Sequence, residues 1–214
     1  MKLVKIMAAA STLFLLNTPL AVAQDQPMGF FVTSTGMGDG ANLGGLAGAD
    51  AHCGKLAADA GSTGRTWRAY LSTQVDGKRG ISARDRIGQG PWYNAKGELI
   101  ASDLDQLHIN PNITVRTALD EKGNRVKGRG DKPNQHDMLT GTKADGTAYF
   151  PWEKGDHTCK SWTSNGEGHA TVGHHDRHGG GNTSWNAAHE SRSCSQKDLI
   201  ATGGAGFFYC FAAK

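Results

Sequence analysis

The chain has 214 residues, 30 of them glycine, and a formal net charge of +3. Its 23 basic and 20 acidic side chains nearly balance, which is not the footprint of a general nucleic-acid or polyanion binder. Abundant glycine beside a modest 37% apolar content argues against a helical bundle and for a compact core with long irregular loops.

Lys2 and Lys5 give the chain a positive start, an apolar run follows from Ile6 to Leu16, and Pro19 breaks it. Ala21-Val22-Ala23 then supplies the small-x-small pattern that a signal peptidase reads. The run is well short of the ~20 apolar residues that a membrane span requires. Residues 1–23 are therefore expected to be a cleaved signal peptide. Residues 24–214 are expected to form one exported domain, periplasmic or extracellular, without a transmembrane anchor.

Phe30 to Thr33 is apolar and β-branched and reads as a first strand. The glycine-rich segment 36–45 fits neither dinucleotide nor P-loop spacing and reads as a loop. From Asp50 to Ala60 the spacing predicts a helix, with Ala49, Cys53, Leu56, Ala57 and Ala60 on one apolar stripe and Gly61 as its stop. Trp67 to Leu71 alternates as a strand. Between Ile81 and Leu107 short apolar islands alternate with turns, including a turn at Asn94–Gly97 and a short strand at Glu98–Ile100. Ile113 and Val115 suggest a brief strand within the glycine-, proline- and charge-rich stretch 110–133, whose basic residues Arg116 to Lys132 are interleaved with acids and read as a solvated loop. Thr158 to Thr163 is a further strand candidate, Ser164 to Ser184 a polar loop, and Phe207 to Ala212 a buried closing strand. Few helices, many short strands and long loops define an α+β domain.

Cys53, Cys159, Cys194 and Cys210 all lie beyond the signal, and their even number in an oxidising compartment implies two disulfides. Spacing alone leaves three connectivities open. No C-x-x-C pair is present, which disfavours a zinc–thiolate site.

Phe31 to Ser34 and Asn42 to Cys53 resemble the opening of a bacterial secreted lectin-like family. Thr158 to Ser164, Gly173 to Asp176, Ser184-Trp185-Asn186 with His189, and Gly203 to Ala212 are similar to its C-terminal half. That family resembles the endostatin domain, a variant of the C-type lectin fold, and the resemblance spans roughly residues 29–213. It implies short, mostly antiparallel strands and nested disulfides, Cys53–Cys210 outside and Cys159–Cys194 inside. Calcium-dependent C-type lectins use Glu-Pro-Asn or Gln-Pro-Asp with Trp-Asn-Asp. Here Lys132-Pro133-Asn134 and Trp185-Asn186-Ala187 each lack the carboxylate, so the usual calcium site is not expected. Endostatin's zinc histidines lie near its N-terminus, where Gln24 to Pro27 offers none.

Five of the nine histidines, His169, His174, His175, His178 and His189, crowd the C-terminal third beside Glu167 and Asp176. Imidazole and carboxylate together suit zinc, nickel or copper, although no recognised spacing is present. A polar groove floored by an aromatic ring would suit a glycan. The ligand-binding candidates are accordingly Asn165, Glu167, His169, His174, His175, Asp176, Arg177, His178, Asn182, Trp185 and Asn186. With the thiols bridged and no G-x-S-x-G elbow, no enzyme is expected. The leading expectation is a non-enzymatic module for a glycan or cell-surface polymer, needing no cofactor. Alternatives are a protein-binding adhesin or envelope-interaction protein, and a periplasmic protein binding a divalent metal at the histidine-rich loop.

Overall fold

A computed structural model describes residues 26–213, so the expected signal peptide lies outside the described residues. The fold is organised by its last strand. In β8, Gly204–Ala212, alternate residues feed two separate cores. Phe208 and Cys210 enter one core, while Phe207, Tyr209 and Phe211 enter the other. A strand buried on both faces reads as a continuous apolar run, which is how Phe207 to Ala212 appears in the sequence.

Strand β1, Phe30–Val32, pairs antiparallel with β8, placing Phe31 opposite Cys210. On the other edge of β8, β2 (Trp67–Ala69) pairs antiparallel with the end of the strand and β5 (Asp137–Leu139) pairs parallel with its beginning. The sheet continues from β5 to β6, Thr171–His174, and then to β7, His189–Glu190, both pairings antiparallel. A separate hairpin joins β3, Trp92–Tyr93, to β4, Leu99–Ala101.

Helix α1, Gly45–Asp59, covers one face of the sheet with Ala49, Cys53, Leu56 and Ala57. It begins five residues before the predicted Asp50. Gly45 and Gly48 weaken helical propensity in that turn, but packing of Ala49 and Leu46 against the core overrides it. Its end is as predicted: Gly61 takes φ +85° and the Ser62 amide donates to the Ala57 carbonyl at 2.8 Å. The opposite core holds Trp92, Ile100, Leu107 and Trp185, with Leu107 supplied by helix α2, Leu104–Ile109.

The disulfides pair as the resemblance implied, Cys53 with Cys210 and Cys159 with Cys194. The outer bridge pins α1 to β8. Their sequence separations of 157 and 35 correspond to about 5 and about 4 kcal/mol on the chain-entropy model.

Two strand expectations fail. Ile113 is buried in the second core, but no strand forms at 113–115. Thr158 to Thr163 is not extended either: Cys159, Lys160, Ser161 and Trp162 form a left-handed turn, with φ of 48°, 55°, 54° and 69°. Such a turn costs roughly 1–2 kcal/mol per residue. Tertiary contacts impose it. Trp162 is fully buried and donates Nε1–H to the Ser72 carbonyl at 2.7 Å, Ser161 Oγ–H donates to the Gln74 carbonyl at 2.7 Å, and Cys159 is tethered to Cys194. The segment 164–184, expected to be loop, contains β6.

A buried polar chain crosses the second core. Asn186 donates to Tyr70 Oη at 3.0 Å, Tyr70 Oη lies 2.8 Å from His108 Nε2, and His108 Nδ1 lies 2.7 Å from the Leu104 carbonyl. The carbonyl must accept, so His108 carries its proton on Nδ1 and Nε2 accepts from Tyr70. Burial lowers the His108 pKa, outweighing the Leu104 hydrogen bond that favours the cation. Below about pH 6.5 the unfolded chain therefore takes up a proton that the folded protein resists, and stability falls as pH falls. His108→Gln is predicted to reduce the loss of urea midpoint between about pH 6.5 and pH 5 relative to the parent protein. An unchanged slope would contradict this account of His108.

Candidate metal centre

The pairing of β5, β6 and β7 gathers side chains that are far apart in sequence. Asp137 on β5 stands opposite His174 on β6. His189 on β7 stands opposite Val172, two residues along β6 from His174, so all three share one sheet face. His136 precedes β5 where the pairing with β8 is irregular, and its ring stacks on His174 at a centroid distance of 4.2 Å.

Asp137 Oδ1 is the focus. It lies 3.1 Å from His136 Nε2, 3.3 Å from His174 Nε2 and 3.6 Å from His189 Nε2. The first three residues are buried, and each offers a ligand atom within 4.8 Å of the others. His189 is the rim member, its side chain 43% exposed. Despite this crowding, neither Asp137 Oδ1 nor either nitrogen of His174 makes an aligned hydrogen bond. A buried carboxylate oxygen facing imidazole nitrogens without hydrogen bonds is costly unless something else satisfies it. A tetrahedral ion with bonds of about 2.0–2.1 Å separates its ligand atoms by roughly 3.3–3.4 Å, close to the spacings around Asp137 Oδ1.

Groups behind the cluster orient the rings. His136 Nδ1 faces Asp176 Oδ1 at 3.4 Å, which turns Nε2 towards Asp137. Asp176 is buried and also accepts from the backbone N–H of Arg129 at 2.6 Å and of His178 at 3.0 Å. Burial opposes its charge, but the hydrogen bonds of His136, Arg129 and His178 outweigh burial and hold its carboxyl well below the usual range. His189 Nδ1 donates to the Glu190 carbonyl at 3.0 Å, leaving Nε2 with its lone pair. For Asp137, burial alone would raise the pKa; the neighbouring His174, His189 and His136 reverse this and lower it. The His189 pKa is raised, first by Asp137 and against the opposing effect of burial. Gly203, at φ +107°, packs closely against the site, where a Cβ would come within 2.7 Å of Asn134 Nδ2 and 3.1 Å of His136 Cδ2.

The predicted site residues divide. His174 is a member of the cluster, and Asp176 supports it from behind. His175 is buried but turned away, with Nε2 3.1 Å from the Lys127 carbonyl, and burial lowers its pKa. His178 and His169 are exposed, the latter with Nδ1 2.8 Å from the Ser191 carbonyl. Asn165 is exposed and donates to Asp39 at 2.6 Å, and Glu167 lines a different cavity beside Lys160 and Asp156. Arg177 lines another with Trp185, Asn186 and Asn182. Trp185 is 2% exposed and Asn186 1%, the latter committed to Tyr70 and the Ala144 carbonyl, so both serve the core. Asn182 bonds the Ala187 carbonyl and the Ser184 amide within its own loop.

Sequence reasoning missed His136 and Asp137 altogether. Their one signal was an adjacent imidazole and carboxylate, which has no meaning until the β5–β6 register places His174 beside them. Comparison with family models and with curated proteins returns no match to this chain.

If Asp176 orients His136 as a ligand, Asp176→Asn is predicted to weaken zinc binding by about 10–100-fold while every direct donor remains in place. Competition against a chromophoric chelator measures this, and an unchanged affinity would remove Asp176 from the site.

Proposed function

We propose that this protein is an exported binding protein for a divalent transition metal, with zinc the ion that the donor set suits best. The observation that carries this reading is the single oxygen of Asp137 held 3.1, 3.3 and 3.6 Å from three imidazole nitrogens without an aligned hydrogen bond. Three imidazoles and one carboxylate are ligands for zinc, copper, nickel or iron, whereas calcium takes six to eight oxygens. His136, Asp137 and His174 would form the buried part of the shell, and His189 would close it from the rim. Export is supported by the signal-like N-terminus and by two disulfides with no free cysteine. Among the described residues no helix is long and apolar enough to cross a membrane.

Metal-free protein titrated with zinc is expected to bind one equivalent. His174→Ala and Asp137→Asn are each expected to weaken binding by at least about 100-fold, whereas His169→Ala and His178→Ala, in the same histidine-rich segment, leave it unchanged. Zinc affinity that depends on His169 and His178 instead would place the metal in the exposed loop and overturn this assignment.

A second reading, recognition of a glycan by an endostatin-like variant of the C-type lectin fold, rests on the motif resemblance and on one structural observation. Trp152 is 72% exposed and stacks on Phe150 with ring centroids 4.5 Å apart and planes 6° from parallel, leaving its outer face open to a sugar ring. On this reading a glycan array shows binding that persists without calcium and is lost in Trp152→Ala. Silence across broad glycan classes, or binding indifferent to Trp152, counts against it.

A further inference from the structure

The donor cluster does not end in packed protein. A cavity of about 590 Å³ opens beside it, lined by His136, His174 and His189 on one side and by Arg129, Asn134 and Asn182 on others. The rest of the lining is glycine, alanine and threonine, and no carboxylate belongs to it. Asp137 and Asp176, the two acids of the centre, lie behind the histidines. A divalent ion carries two positive charges, which Asp137 and Asp176 together offset. Arg129 adds another, and its guanidinium enters no ion pair among the described residues. It lies over Gly179, whose missing side chain leaves room for it. Its own amide is anchored to Asp176, the carboxylate that also orients His136, so the arginine and the donor cluster are positioned by one group.

The lining is therefore cationic at Arg129 and at the ion, whose compensating carboxylates stand behind the histidines, and elsewhere offers only neutral groups. We infer that the metal centre and Arg129 together hold a small oxyanion, a carboxylate or a phosphate, with one oxygen on the metal and others on the guanidinium fork. The physical basis is common to both anions. Beside the four protein donors, a zinc or cobalt ion can take one oxygen from the cavity as a fifth ligand, and a guanidinium presents paired N–H groups to a second and third oxygen. His189, at the rim, is the donor next to which the anion enters. The inference rests on the metal-binding reading, and its test keeps the two apart.

Cobalt(II) serves as the probe because its visible bands report the inner coordination shell. The full exported chain is loaded with one equivalent of cobalt, then titrated with inorganic phosphate and, separately, with acetate. The expected result is a saturable change in the visible spectrum with at least one of the two anions, and the stronger one names the source. Arg129→Gln is expected to weaken that anion at least tenfold with the starting cobalt spectrum retained, and Arg129→Lys to recover part of the loss. Cobalt bands that ignore both anions, or an anion affinity indifferent to Arg129→Gln, overturn the inference and leave the metal site standing. Absence of any cobalt band removes the metal reading and this inference with it, a result distinguishable at the first step.

Discussion

Strand β8 is the constraint on which the rest of the molecule depends. Its alternate side chains enter two cores, so it must lie in the middle of the structure with both edges occupied. Cys210 then fixes α1 against one face through Cys53, and Phe211 and Tyr209 anchor the aromatic core on the other, where Trp185, Tyr70, Trp92 and Phe30 surround them. A one-residue slip of β8 would exchange these two sets and separate Cys210 from Cys53, so the register is strongly specified. Strand β5 takes its position from β8, and β6 from β5. The donor cluster is a consequence of that order, since Asp137 and His174 face one another only in this register.

The cluster departs from the economy of the rest of the interior. Elsewhere, most buried polar groups are satisfied, with Trp67 Nε1, Trp185 Nε1 and His175 Nδ1 as isolated exceptions. Asn186, Tyr70 and His108 form an ordered chain, Thr140 bonds the Asn186 and Thr171 carbonyls, and Ser191 bonds across to Ala170. Asp137 and His174 differ from the isolated exceptions in that their unpaired atoms face one another, Asp137 Oδ1 lying 3.3 Å from His174 Nε2. That gathering of unpaired groups at one point is informative, because a folded sequence violates such rules chiefly at functional sites. A divalent ion would supply what is missing, since it accepts lone pairs from carboxylate and imidazole together without any donor hydrogen. The support of His136 by Asp176 and of His189 by a backbone carbonyl is the outer arrangement that metal-ligating histidines generally carry.

Local signals in the sequence were reliable where local physics decides. The stripe through Cys53 and Leu56 with its glycine stop and the apolar run of β8 produced the elements they announce, and the alternation at Trp67 to Leu71 produced a shorter strand, Trp67–Ala69. Thr158 to Thr163 failed because burial of Trp162 and the Cys159–Cys194 tether force a backbone that no propensity favours. Ile113 was read as strand and is instead a buried residue outside any strand, because apolar character does not specify pairing. The histidine-rich segment supplies two of the four donors of the proposed centre. Its density arises from His169 and His178 on the surface and from His175 turned inward. The two donors it contributes, His174 and His189, are selected by a register with β5, more than thirty residues upstream, and that information is non-local.

The central claim is a metal ion at Asp137, and anomalous scattering at the zinc edge from crystals of zinc-loaded protein tests it most directly. The account predicts one strong peak about 2 Å from Asp137 Oδ1 and from Nε2 of His136 and His174, with His189 completing the shell. Zinc found only among the exposed histidines at 169 and 178, or a difference map with no peak at Asp137, would contradict it.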